Sequence, residues 1–312
     1  MGSNRGRYFI SRLLKVSKSV MRVSYNTLHA WDRAIGLGFD EGAHNYLVRR
    51  TAASYDMSDA ADEAYYSRHY GDFIDEQIGL YAPVAGGLML DLACGQGRII
   101  LELLDRKLGL KNIIGVDFSA EVLKKARSNL SGADKDVKIN FEFSDILEYI
   151  RTIQDGSVDI LLLLEVLYMV PQPELVLAEI SKKLSPSGIA FFSVRTDQYY
   201  GLSTLKQGLY QNLDVYESAN EGEIFDSGVQ FNWTDSAKIV SEFSASYGLE
   251  VKEFTAIGSC SGIPGDPFEY IARPSGLSVS DQDKLLRLEK FLGKKYPDTG
   301  RYLLFSAVKA TS

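Results

Sequence analysis

The sequence predicts an α/β protein, a doubly wound and mostly parallel sheet with helices on both faces, preceded by an N-terminal helical extension. Three observations carry that expectation. Apolar runs of strand length alternate with amphipathic stretches of helical length between residues 88 and 194. A glycine turn, Ala93-Cys94-Gly95-Gln96-Gly97, joins the first such run to the first such stretch. The 312 residues are 45% hydrophobic, 24% charged and 11% aromatic, which supports a large buried core and excludes disorder as the main state.

Residues 1–31 hold six basic side chains (Arg5, Arg7, Arg12, Lys15, Lys18, Arg22) and no acid, with apolar residues at Ile10, Leu13, Leu14, Met21, Leu28 and Trp31. One apolar face opposite a basic one fits three readings: a helix capping the main domain, a helix resting on an anionic membrane, or an Arg- and Ser-rich targeting peptide. Myristoylation is excluded, because Gly6 stands where Ser or Thr is required. Residues 60–80 read as a helix, and the extension is expected to span 1–82, closed by Pro83 and Gly86-Gly87. The main domain is expected over 83–312.

Within it, 88–93 is a buried strand and 98–108 a helix. Residues 112–116 and 120–130 repeat the pair. A third strand at 137–143 precedes a short helix after Asp145, an apolar fourth strand covers 158–164, and a helix at 174–184 leads to a fifth strand at 189–194. Strands alternating with helices require crossover connections, and these build a parallel sheet covered on both faces. Residues 199–234, rich in Tyr, Gly and Asn, break the rhythm and are expected to form an insertion over the sheet's carboxyl edge. After a helix at 235–247, strands at 249–257 and 301–309 bring the total to seven. A second insertion at 258–300, holding a Gly/Pro loop and a charged helix at 280–293, lies between them.

Thirty-four Lys and Arg against 41 Asp and Glu give a formal charge of −7, which argues against a broad phosphate-neutralising surface, so no nucleic-acid partner is expected. Cys94 and Cys260 form no paired motif, and the histidines are His29, His44 and His69 alone, so no metal site is expected. The most apolar run, 158–170, contains Asp159 and Glu165 and falls short of the roughly 20 residues of a membrane span. A cytoplasmic location is expected, with peripheral membrane attachment or organelle targeting as the alternatives carried by residues 1–31. The oligomeric state is left open.

The chemistry concentrates at the glycine turn. Gly95 and Gly97 let backbone approach a ligand closely, and the following helix opens with unpaired N–H groups. Twenty residues past Gly97, at the end of the second strand, Asp117 is placed to accept hydrogen bonds from a ribose diol. A dinucleotide fingerprint would put Gly or Ala where Ile100 stands, which disfavours a pyrophosphate. Asp91, ending the first strand, repels phosphate and attracts an ammonium group. The site suits a cationic nucleoside.

Leu-Asp-Leu-Ala-Cys-Gly-Gln-Gly-Arg (90–98), Val-Asp-Phe-Ser (116–119), Phe-Ser-Asp-Ile (143–146), Glu-Val-Leu-Tyr-Met-Val-Pro-Gln-Pro-Glu (165–174) and Leu-Ser-Pro-Ser-Gly (184–188) together resemble the class I S-adenosylmethionine-dependent methyltransferases. The resemblance covers about residues 60–195. It implies a Rossmann-like seven-stranded domain and S-adenosyl-L-methionine as cofactor. Asp91, Ala93, Gly95 and Gly97 would surround its methionine part, Asp117 its ribose, Phe118 its adenine face, and Asp145 with Ile146 its adenine amino group. Glu165 and Val166 would line the methionyl side, and Tyr66 and Tyr70 would close over the cofactor. Plainer readings stand beside these: Asp117 and Asp145 as helix caps, Cys94 as a small buried residue, and Tyr66 and Tyr70, four apart, as core packing.

Many relatives carry His where Met169 stands, and a thioether cannot accept a proton at neutral pH. The remaining catalytic candidates are His69 or Asp197 as proton acceptor, Arg195 to steady an anionic group, and Tyr199 and Tyr200 to shape the pocket. The resemblance implies in-line methyl transfer to oxygen or nitrogen of a small-molecule acceptor. Two alternatives are a non-catalytic cofactor-binding regulator or assembly partner, and an enzyme acting on a membrane-presented, lipid-like acceptor.

Overall fold

In the computed structural model, which describes residues 61–82, 87–133, 136–170, 172–222 and 231–310, strand and helix alternate as the apolar runs dictate. Residues 1–31, with their capping, membrane and targeting readings, lie outside the described residues. The helices are α1 (Ala61–Tyr81), α2 (Arg98–Asp105), α3 (Ala120–Asn129), α4 (Ile146–Thr152), α5 (Pro173–Lys183), α6 (Asp197–Lys206), α7 (Val215–Ser218), α8 (Ser236–Tyr247) and α9 (Val279–Lys295). The strands are β1 (Leu88–Leu92), β2 (Asn112–Asp117), β3 (Lys138–Phe143), β4 (Val158–Leu163), β5 (Leu184–Val194), the two-residue β6 (Glu221–Gly222) and β7 (Phe231–Asn232), β8 (Leu249–Ile257) and β9 (Tyr302–Lys309).

Seven strands form one sheet in the order β3-β2-β1-β4-β5-β9-β8. The first five run parallel, and β9 lies antiparallel between β5 and β8, pairing Leu303 with Val194 on one side and Ala256 on the other. From β1 the chain proceeds outward to β2 and β3, then returns to β4 on β1's other flank. Connections therefore diverge beyond the carboxyl ends of β1 and β4, where open α/β sheets hold their ligands.

Alternation along the central strands builds two core layers. Ile160 and Leu162 of β4 pack with Tyr70 and Ile74 of α1 and Ile100 and Leu103 of α2, while Leu161 and Leu163 pack with Ile150 of α4, Ile180 of α5 and Phe243 of α8. Helix α1 thus shares one core with the sheet, and Phe73 meets Phe191 edge to face at 6.3 Å. Asp159, the single acid in β4, accepts from Leu88 N (2.9 Å) and Ser185 Oγ (2.8 Å), pinning the start of two strands. Side chains of Ser119, Asp145, Thr196, Asp235 and Ser278 cap the helices that follow them.

Two elements depart from the sequence reading. Residues 197–206, expected to open an irregular insertion, form α6, because Thr196 accepts from Tyr199 N and Gly201 only masks the helical pattern. Strand β5 starts at Leu184 rather than 189. Its Ser-Pro-Ser-Gly segment follows Val158 through a register shift, and a Cβ on Gly188 would lie 2.6 Å from the Val158 carbonyl. Among the described residues no helix is long and apolar enough to cross a membrane, and no cluster of His, Cys, Asp and Glu could hold a metal ion.

Candidate functional site

The turn after β1 is built from left-handed backbone. Ala93 (φ 61°), Gly95 (54°) and Gly97 (78°) all have positive φ, and Ala93 tolerates it at a cost that sites often accept. A side chain on Gly97 would collide with Leu130 Cδ1 at 2.4 Å, so this glycine seats α2 against α3. A Cβ on Gly95 would meet nothing within 4 Å. Gly95 therefore faces open space, as a ligand cradle requires. Beside it Asp91 is buried, and no hydrogen bond to its carboxylate is found among the described residues. Burial, then the neighbouring Asp117, pushes its pKa up to about 8. A carboxyl group in that condition regains its charge when a cation is placed beside it.

Asp117 ends β2 and ties two turns together: Oδ2 accepts from Gly95 N (3.1 Å) and Oδ1 from Ser119 N (2.9 Å). Burial raises its pKa, and these amides and that of Phe118 oppose the rise. Phe118 is half-buried beside it. Asp145 is exposed and its Oδ1 accepts from Leu147 N (2.7 Å) and Glu148 N (3.3 Å), the N-cap geometry of α4; Ile146 opens that helix and packs on the second core layer. Cys94 is buried and burial raises its pKa, so the thiol is a packing group.

At the end of β4, Glu165 also holds positive φ (58°), and its N–H donates to Ser193 Oγ of β5 at 2.6 Å. Val166 follows at the start of a 3-10 turn over Leu167–Met169. Arg98, the first residue of α2, bridges Glu165 Oε1 (2.8 Å) and Glu63 Oε2 of α1 (3.4 Å). Burial works against ionisation of Glu165, yet Arg98, Arg301 and Arg195 outweigh it and hold its pKa below the usual range; Glu63, farther from the shared cation, has its pKa raised by burial. Tyr66 and Tyr70 of α1 are buried in the same region. The Tyr66 hydroxyl lies 3.0 Å from Ser261 Oγ, its ring 4.4 Å from the Arg301 guanidinium, and Tyr70 stands 5.8 Å from that of Arg98.

Beyond β5, Arg195 is buried with its guanidinium between the rings of Tyr199 (3.8 Å) and Tyr302 (3.7 Å), and Tyr168 lies 5.5 Å away. Tyr200 is buried against Phe231 and Trp233. Two candidates fare differently. His69 faces α9: Nδ1 lies 4.0 Å from Glu289 Oε2, neither ring nitrogen has a hydrogen-bond partner among the described residues, and burial drives its pKa down to about 3. Burial thus favours the neutral imidazole, which lies against α9. Asp197 is exposed on the first turn of α6, where Oδ1 accepts from Gln198 N at 2.6 Å, so its local bonding is that of a helix-start acid.

Sequence reasoning gave no role to Arg98, Arg301, Tyr168, Tyr302 or Glu63. Arg98, closing the glycine motif, and Tyr168, within 165–174, carried a local signal. The others reach the site through α1 and β9. A buried carboxylate without a hydrogen-bond donor among the described residues, an open glycine and an acid at the neighbouring strand end fit the ammonium, the backbone and the ribose of S-adenosylmethionine.

The stretch from 84 to 239, which holds these motifs, is also where a family model matches this chain. An enzyme of Nitrosococcus oceani named ubiquinone biosynthesis O-methyltransferase is 34% identical over 127 residues, 40% of this chain and 51% of that one. The protein of the same name from Hydrogenovibrio crunogenus is 30% identical over 124 residues, 40% and 49% of the two chains. The chain thus spans about half the length of the curated relatives it matches. The fold is shared with the Burkholderia thailandensis 1,6-didemethyltoxoflavin-N1-methyltransferase (TM-score 0.52, 12% identity, 86% of this chain and 90% of that one). It is shared too with a putative S-adenosylmethionine-dependent methyltransferase of Listeria monocytogenes (0.50, 16%, 78% and 98%). The family model for the methyltransferase domain matches residues 84–239, half of the chain, and with its seven-stranded sheet the protein belongs to the class I S-adenosylmethionine-dependent methyltransferases.

Proposed function

We propose that the protein transfers the methyl group of S-adenosylmethionine to an oxygen or nitrogen atom of a small-molecule acceptor. The observation that carries this reading is Asp91: a buried carboxylate with a pKa of about 8, without a hydrogen-bond partner among the described residues, beside the open face of Gly95. The cofactor supplies a methyl group already activated by the sulfonium charge. The chain's part is to bind, orient and exclude water. Asp91 and the glycine turn hold the methionine end, Asp117 the ribose, and Phe118 and Ile146 flank the base. Glu165, fixed by Arg98 and Ser193, marks the boundary with the acceptor side. Met169 supplies no base and buried His69 a weak one, so the acceptor's proton leaves to Asp197 or to water, or is already gone on binding. The printed activity of the two curated relatives favours oxygen over nitrogen.

The test is calorimetric titration of the full chain with S-adenosylmethionine, with Asp117→Ala as control and a nicotinamide dinucleotide as competitor, followed by radiolabelled methyl transfer to pooled metabolites. Binding that the variant loses and the dinucleotide does not contest supports the reading. A well-folded protein that binds no S-adenosylmethionine overturns it.

A further inference from the structure

Three arginines meet at the carboxyl edge, and their partners differ. Arg98 has Glu165 at 2.8 Å and Glu63 at 3.4 Å, and Arg301 has the buried Asp266 at 2.7 Å. Arg195 has no carboxylate within ion-pair distance among the described residues, although nine-tenths of it is buried. Its one hydrogen bond there runs from Nη1 to the Arg301 carbonyl. Both faces of the guanidinium are covered by Tyr199 and Tyr302, so any further partner must approach the edge carrying Nε and Nη2. Glu165 acts on this cation only from beyond ion-pair distance, which leaves the guanidinium edge without a carboxylate to bond, and such a planar edge matches the two oxygens of a carboxylate. Arg195 lies next to the site in the chain: it directly follows β5, two residues after Ser193, whose hydroxyl accepts from Glu165 N. The neighbouring rings of Tyr168 and Phe231, stacked at 6.3 Å and 20°, add a flat apolar wall.

We propose that Arg195 is the anion-binding residue of the acceptor pocket, and that the acceptor is a small, flat molecule carrying a carboxylate. This rests on the methyltransferase reading and deepens it. The rival role is a staple between β5 and β9 through the Arg301 carbonyl, which would affect stability without regard to ligand charge.

The probes are benzoate and benzamide, equal in shape and different in charge, titrated into the full chain saturated with S-adenosylhomocysteine. Benzoate is expected to bind at least about tenfold tighter than benzamide, and Arg195→Gln to remove most of that difference while leaving the affinities for benzamide and S-adenosylhomocysteine unchanged. Equal binding of the two probes, no binding of either, or benzoate affinity retained in Arg195→Gln overturns the proposal. Should that variant not fold, modification of wild-type Arg195 by phenylglyoxal reads the same contact. Protection by benzoate and not by benzamide supports the assignment, and equal or absent protection overturns it. Failure of S-adenosylhomocysteine to bind the wild-type protein would instead remove the methyltransferase reading, which this comparison separates from the role of Arg195.

Discussion

Asp91 works against the fold that holds it. Water solvates an ordinary carboxylate, whereas here burial and then Asp117 raise the pKa to about 8 against the opposing charge of Arg98. Replacing it with Asn removes the titration and keeps the shape. Asp91→Asn is therefore expected to melt about 3 °C or more above wild type at pH 8 without ligand, by scanning calorimetry, while losing measurable binding of S-adenosylmethionine. A variant that is no more stable would show that the carboxylate is already compensated. The two glycines of the turn separate in the same way. Gly97→Ala drives a Cβ to 2.4 Å from Leu130 Cδ1 at φ 78° and should cost about 2–4 kcal/mol in denaturant unfolding. Gly95→Ala meets only open space, so its cost should stay near 1 kcal/mol of backbone strain while ligand affinity falls.

A buried acid of helix α9 ties it both to α1 and to the loop after β8. Glu289 is fully buried and accepts from Tyr65 OH (2.7 Å), Cys260 N (2.7 Å) and Ser261 Oγ (2.9 Å); burial raises its pKa and these donors oppose the rise. Glu289→Ala leaves Tyr65 OH and Cys260 N without an acceptor and should destabilise by about 3 kcal/mol or more, whereas Glu289→Gln keeps one acceptor oxygen and should lose less, both read from urea midpoints. Neither the helix nor its anchor was equally visible in sequence. The amphipathic pattern at 280–293 announces a helix, but nothing near Glu289 announces Tyr65, 224 positions away. Local chemistry made the elements readable: β4 is apolar apart from Asp159 because both its faces are covered, and the caps sit one residue before their helices. Helix α6 was missed because its opening Tyr-Tyr-Gly reads as loop, its cap being apparent only once Thr196 is seen to accept from Tyr199 N.

At the scale of the molecule, sequence and site divide along the same line. The cofactor side is assembled from contiguous motifs at the ends of β1, β2 and β4, so its residues could be grouped before any coordinates. The proposed acceptor side needs β9 inserted between β5 and β8, which brings Arg301 and Tyr302 to Arg195 across 106 positions of chain, a placement decided by tertiary packing rather than local pattern. The cofactor side also sets how the whole protein responds to pH. An unfolded Asp91 releases its proton near pH 4, and the folded one keeps it to about pH 8. Between those values the native state binds more protons than the unfolded chain, so this group's contribution to stability is present at low pH and is lost as pH rises toward 8. A bound ammonium reverses the balance by holding Asp91 ionised. Binding below pH 8 must then release up to one proton, and affinity should rise with pH, by at most about tenfold per unit, before levelling near 8. Ligand stabilisation follows affinity. The increase in melting temperature produced by S-adenosylmethionine should therefore grow from pH 6 to pH 8 in the wild-type protein and be absent in Asp91→Asn. Calorimetry in two buffers of different ionisation enthalpy should find the released proton. A wild-type melting shift that does not change over that interval would separate Asp91 from the ligand's charge and leave its burial without a function.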